Sequence, residues 1–156
     1  MGKPKGPKMN IANLRQLFKR DLNKLKAEVE AYTTEDKLWL PLEGISNCGG
    51  NLCLHLVGNL NAFIGAEIGN SGYIRHRELE FSQKDVPKVA LISQIENTIL
   101  IVDSTLESLS EEDLCNEYPI VVFKEKMTTG YFLMHLATHL AYHLGQVNYH
   151  RRLLDQ

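Results

Sequence analysis

The chain has 156 residues, 44% of them apolar and 23% charged, with 17 Lys plus Arg against 19 Asp plus Glu for a net charge of −2. That is one globular domain, long enough to bury a core without disulfide or metal staples, and it excludes disordered, collagen-like and fibrous classes. The near-neutral balance offers no strong attraction to nucleic acid or anionic lipid, and the longest apolar runs, at 99–102 and 119–123, fall far short of the roughly 20 residues of a membrane helix, so neither nucleic acid nor a membrane is an expected partner.

Residues 1–8 contain three lysines, two prolines and two glycines, a composition that predicts a flexible tail ahead of one domain over residues 9–156. The same stretch lacks the apolar centre of a signal peptide, so the expected location is the cytoplasm. Cys48, Cys53 and Cys115 stand in no metal-binding spacing and agree with reduced thiols.

From Asn10, the positions Ile11, Leu14, Leu17, Phe18, Leu22, Leu25 and Val29 recur at three- and four-residue steps and predict an amphipathic helix ending near Tyr32. Pro41, Gly44, Ser46 and Asn47 break the pattern, with Trp39 and Leu40 expected to fold back onto the core. A second helix is expected from Cys48 to about Gly69. Its glycines at 49, 50, 58 and 65 each cost up to ~1 kcal/mol against alanine, which requires close packing to compensate.

The polar connection from Tyr73 to Phe81 is longer than a helical hairpin needs and is expected to cross over the bundle. Ser82 with Asp85 resembles a cap and Pro87 suits a first turn, so a third helix should start there. Its seam reads Ile92, Ile95, Ile99, Val102, Leu106 and Leu109, and Ser110 to Asp113 ends it. Residues Tyr118 to Lys126 are β-branched and aromatic in their first half and predict a short extended segment beside the bundle. Thr128 or Thr129 can cap a fourth helix to about Leu154, with Leu133, Leu136, Leu140, Leu144 and Val147 inward. The fold class is all-α, with four long helices.

Four of the six histidines, His135, His139, His143 and His150, lie on that last helix. At 100° per residue, His139 and His143 stand about 40° and 80° round from His135, and the leucine stripe begins near 100°, so these rings border the core. By the same arithmetic His55 shares a face with Leu52, Leu56, Asn59 and Phe63. Residues four apart on a helix can converge on one ion, whose nitrogen ligands sit at ~2.1 Å. Both His139/His143 and His135/His139 meet that condition, whereas His135 and His143 are about 12 Å apart along the axis. His55 would complete three nitrogen ligands and leave a coordination position open, as a catalytic metal needs. The competing reading is a set of core histidines satisfied by carbonyls. His76 and His150 read as solvent-facing or outlying.

The segment from His135 through His139 and His143 to Gly145 and Gln146 resembles the signature of the DinB-like, YfiT-type family, described as metalloenzymes, in which H-x3-H and a Gly-Gln pair close the last helix. Leu54 to Leu60, with His55 followed by Gly58 and Asn59, is similar to that family's second-helix element. Arg75, Arg77, Glu80 and Phe81 resemble the Arg-x-Arg-x-x-Glu-Phe connection of a branch catalogued as a domain of unknown function. The resemblance implies a four-helix bundle with an up-down-down-up path, a His55, His139 and His143 triad, and a homodimer. It leaves His135 as an outlying or substrate-side residue. The chain differs in carrying Leu144 where many members have arginine. Characterised relatives include thiol-dependent transferases and an isomerase using low-molecular-weight thiols; many other members have no known activity.

Around the triad, Asn59 and Gln146 are candidates to hydrogen-bond a ligand or orient a ring. Cys48 could watch the mouth of the site, and Glu96 or Asp103 could add a ligand or base, although core and surface roles respectively are the simpler readings. The expected function is a metal-dependent enzyme in which Zn²⁺ or Ni²⁺ activates a thiol for attack on a small electrophile. The alternatives are metal-assisted hydrolysis and a non-enzymatic metal- or ligand-binding stress-response bundle.

Overall fold

A computed structural model describes residues 10–155; the tail expected at 1–8 lies outside them. The described residues are all-helical and contain no strand. Helix α1 spans Ile11–Ala31 and is capped by the Asn10 side chain, which accepts from the Ala12 N–H at 2.7 Å. It buries Ile11, Leu14, Phe18, Leu22, Leu25 and Val29, the predicted stripe apart from the exposed Leu17. Trp39 folds back onto the core as expected, but the Leu40 side chain is exposed; its carbonyl instead accepts from His150 Nε2.

Helix α2, Gly49–Leu60, is buried along its whole length and continues as a wider π turn, Asn61–Ala66. Periodicity does not announce that turn. Asn61 Nδ2 reaches both the Val57 carbonyl and Thr98 Oγ1 at 2.8 Å, so the α2 backbone is drawn toward a neighbouring helix at the point where its winding loosens. The glycines are required by contact: a Cβ on Gly50 would stand 2.6 Å from the Trp39 ring, and one on Gly58 would overlap the Glu80 carboxylate.

The connection holds an unpredicted short helix, α3, Arg77–Ser82. It packs on α2 but buries a glutamate, Glu80, so no apolar periodicity marks it. Ser82 is therefore the end of a helix and not a cap, and its hydroxyl donates to the Glu78 carbonyl. Asp85 turns the chain with φ 57°, and α4, Lys88–Glu107, starts after Pro87 with no side-chain cap.

The buried face of α4 is Leu91, Ile95, Thr98, Val102, Thr105 and Leu106, with Ile92 and Ile99 only half-buried. The face is rotated from the aliphatic seam because two threonines point inward; the Thr98 hydroxyl is satisfied by the Gln94 carbonyl and Asn61. By length and composition alone α4 could cross a membrane, but here it packs against α1 and α2. The segment Tyr118 to Lys126, expected to be extended, forms no strand and is only flanked by one antiparallel bridge, Glu117 with Thr128; Ile120, Val121 and Phe123 remain exposed. Helix α5, Thr129–Leu154, is capped by Thr128, whose hydroxyl accepts from the Tyr131 N–H. Leu144 is half-buried on it, while Leu133, Leu136, Leu140 and Val147 are buried.

Helix α1 packs on α4 and α5, and α2 packs on α5 and α4. The histidine-bearing faces of α2 and α5 are thereby opposed across one seam.

Candidate metal centre

His55 from α2 and His139 and His143 from α5 meet at that seam, with one ligand atom from each lying within 4.8 Å of the others. His139 Nε2 is 3.3 Å from His55 Nε2 and 3.1 Å from His143 Nε2. Two nitrogens bound at ~2.05 Å in a tetrahedral arrangement stand about 3.3 Å apart, the same spacing. The ring planes cross at 76°, 88° and 86°, so the three imidazoles approach a common point from separate directions. His135, one turn before His139, stays outside the cluster: its ring lies 6.0 Å from that of His139 and 4.9 Å from that of Phe123. Of the two H-x3-H pairs left open by spacing, the structure gathers 139 with 143.

The other ring nitrogens decide which atoms offer lone pairs. Glu80 Oε2 lies 2.9 Å from His55 Nδ1; a carboxylate only accepts, so Nδ1 carries the proton and Nε2 is bare. Gln146 Oε1 accepts from His143 Nδ1 at 2.6 Å, which bares His143 Nε2 likewise. His139 Nε2 thus faces two lone pairs and can donate to at most one, while its Nδ1 is buried with no partner among the described residues. Three nitrogens pressed together in this way are costly unless a cation lies between them. The donor set, all imidazole, fits a divalent transition metal.

Burial lowers the His139 pKa to about 4, helped by the neighbouring His143, His55, His135 and Arg75. Burial also pushes His143 down, against the opposing bond from Gln146. Both rings are neutral near pH 7 and ready to ligate. For Glu80 burial acts upward, but the hydrogen bonds from His55 and Arg75 and the Arg75 charge outweigh it and hold the carboxyl below its ordinary range. Arg75 grips it with two bonds, Nε to Oε1 at 2.6 Å and Nη2 to Oε2 at 2.8 Å.

A cleft of ≈ 470 Å³ opens on the triad. Asn59 and His135 line it together with the rings of Phe63, Phe81, Phe123 and Phe132. Asn59 is buried and its Oδ1 has no partner among the described residues. Sequence reasoning missed Glu80 and Arg75 as members of the centre. The signal was available in the Arg-x-Arg-x-x-Glu-Phe connection and in Gly58, whose missing side chain admits the Glu80 carboxylate.

Other expectations are corrected. His150 is buried, with Nδ1 2.7 Å from Tyr32 Oη and Nε2 bonded to the Leu40 carbonyl; it staples α1 and the first connection to α5. His76 is exposed, as expected. Cys48 bonds Asn51 Oδ1 at 2.9 Å and lies outside the lining of the cleft. Glu96 pairs with Lys26 and Asp103 with Arg15 on the α1 side, so neither reaches the triad.

No curated protein matches the chain. A family model matches residues 8–156, nearly the entire sequence, and the chain therefore belongs to the family described as protein of unknown function (DUF1572).

Proposed function

We propose that this protein is a metal-dependent enzyme of the DinB-like kind, an up-down-down-up four-helix bundle that joins a low-molecular-weight thiol to a small electrophilic molecule. The observation that carries this reading is the convergence of the Nε2 atoms of His55, His139 and His143 beside a cleft. Zn²⁺ or Ni²⁺ held there would supply a field that lowers the pKa of a thiol or water placed next to it. Overall, the thiol sulfur forms a bond to an electrophilic carbon, the bond to the leaving group breaks, and the thiol proton departs with that group.

The residues divide the remaining tasks. Glu80 and Gln146 hold the proton on Nδ1 of His55 and His143 and fix each ring's direction. The phenylalanine walls offer apolar surface for the body of the electrophile. His135, half-buried at the cleft wall, would accept the proton from the incoming thiol and pass it to the leaving group. Transfer is favoured over hydrolysis because a second cavity borders His143 on its other side. This cavity of ≈ 390 Å³, lined by Leu42, Ile45, Tyr142 and Tyr149, shares Asn47 and His143 with the first, which gives room for two reactants where hydrolysis needs one.

The test is metal analysis of purified protein, followed by assay with low-molecular-weight thiols and a chromogenic electrophile. One metal per chain and turnover that is lost in His139→Ala but kept in His76→Ala are expected. Stoichiometric metal with no turnover against any thiol would leave a binding module; turnover without thiol would indicate hydrolysis.

A further inference from the structure

The cleft over the triad is one-sided in charge. Its lining includes four histidines and the guanidinium groups of Arg75 and Arg77, and no Asp or Glu among the described residues. Arg75 is neutralised by the two oxygens of Glu80. Arg77 is not. Arg15, Arg20 and Arg151 are each held by a carboxylate, whereas Arg77 has no such partner among the described residues. Arg152 shares that lack but lies over Tyr149, outside this cleft. Arg77 is the first residue of α3 and Phe81 sits one turn on, so its guanidinium rests 5.3 Å from the Phe81 ring centroid. That contact holds the planar fork at the cleft wall while leaving its N–H donors uncommitted.

An unpaired guanidinium, phenylalanine walls and imidazoles at the base describe a complementary ligand. We infer that the cleft takes a small carboxylate-bearing molecule, its carboxylate held by Arg77 and its apolar body lying between the phenylalanine rings. The fork of an arginine matches a carboxylate with two parallel bonds, and an excess of positive charge over a low-dielectric cavity raises the local concentration of anions. The word substrate here rests on the function proposed above; anion binding by Arg77 does not. Arg77 is thereby a specificity-determining residue on α3, an element that contributes no metal ligand.

Calorimetry on the Zn²⁺-loaded full chain with benzoate and with benzamide, two probes of one shape that differ in charge, tests this. Benzoate should bind about tenfold more tightly, the advantage should shrink to about threefold or less in Arg77→Gln, and Arg77→Lys should lie between. Zinc stoichiometry and melting temperature should be unchanged, because Arg77 is exposed. Should Arg77→Gln misfold, the wild-type contrast between low and high salt takes its place, since an exposed charge contact weakens as salt rises. Equal binding of the two probes, no binding of either, or a preference that survives Arg77→Gln overturns the inference. A protein without turnover that still prefers benzoate through Arg77 would sink the enzymatic reading and leave this one standing. Turnover of neutral and carboxylated electrophiles at equal rates, undisturbed by Arg77→Gln, would do the reverse.

Discussion

Glu80 serves two partners at once, accepting from His55 Nδ1 and from the fork of Arg75 while only 5% exposed. Replacing it by glutamine keeps the shape and removes the charge. Glu80→Gln should weaken zinc binding about 10- to 100-fold, as loss of a partner behind a ligating histidine does, and should also lower the melting temperature, because Arg75 then faces a neutral amide. Zinc titration against a chromophoric chelator and a thermal melt report the two effects separately. Acid acts on the same residues. The folded His139 pKa of about 4 lies below its ordinary 6.5, so the unfolded chain binds more protons between those values and stability rises with pH there. Metal-free protein should therefore lose stability as pH falls from about 6.5 toward 4, with Glu80, held low in the fold, adding to the loss at the acid end. Denaturant midpoints across that interval that stay flat would contradict it.

Among the elements, α2 and α3 fit together through a glycine. A Cβ on Gly58 would overlap Glu80 Oε1 and stand 2.8 Å from its Cδ, so Gly58→Ala, ordinarily favourable within a helix, should destabilise by about 1–3 kcal/mol. It should weaken metal binding as well, because the carboxylate that orients His55 is displaced. Urea unfolding beside zinc titration checks both, and a stabilised protein with unchanged zinc affinity would show that α3 is free to move away. The α2–α4 contact works differently. Asn61 and Thr98 bond each other within the core, which is why the buried face of α4 runs through threonines that an aliphatic pattern passes over.

Over the whole molecule, the centre joins helices distant in sequence: His55 lies 84 residues from His139. An ion bound there links α2 to α5 and favours the folded state by mass action, by about 2.7 kcal/mol at a free concentration 100 times the dissociation constant. In a chain of this length that is a rise of roughly 5–10 °C in melting temperature. Addition of Zn²⁺ to chelator-treated protein should produce it, a chelator should reverse it, and His139→Ala should abolish it.

The sequence by itself determined the helices whose apolar residues repeat at helical spacing: α1 almost to the residue, α2 and α5 within a residue or two of their starts, and the three histidines as partners across one interior. Those features are local, set by periodicity, capping and the rule that residues four apart share a face. Spacing left both H-x3-H pairs open and the family resemblance chose 139 with 143, as the structure does; only the tertiary structure decided that Glu80 and Arg75 stand behind His55, that α3 exists, and that His150 is a core staple. Each of these depends on what lies opposite a residue after packing. A glutamate in a polar connection and a histidine on a last turn carry no periodic signal, and their burial is fixed by partners 25 and 118 residues away.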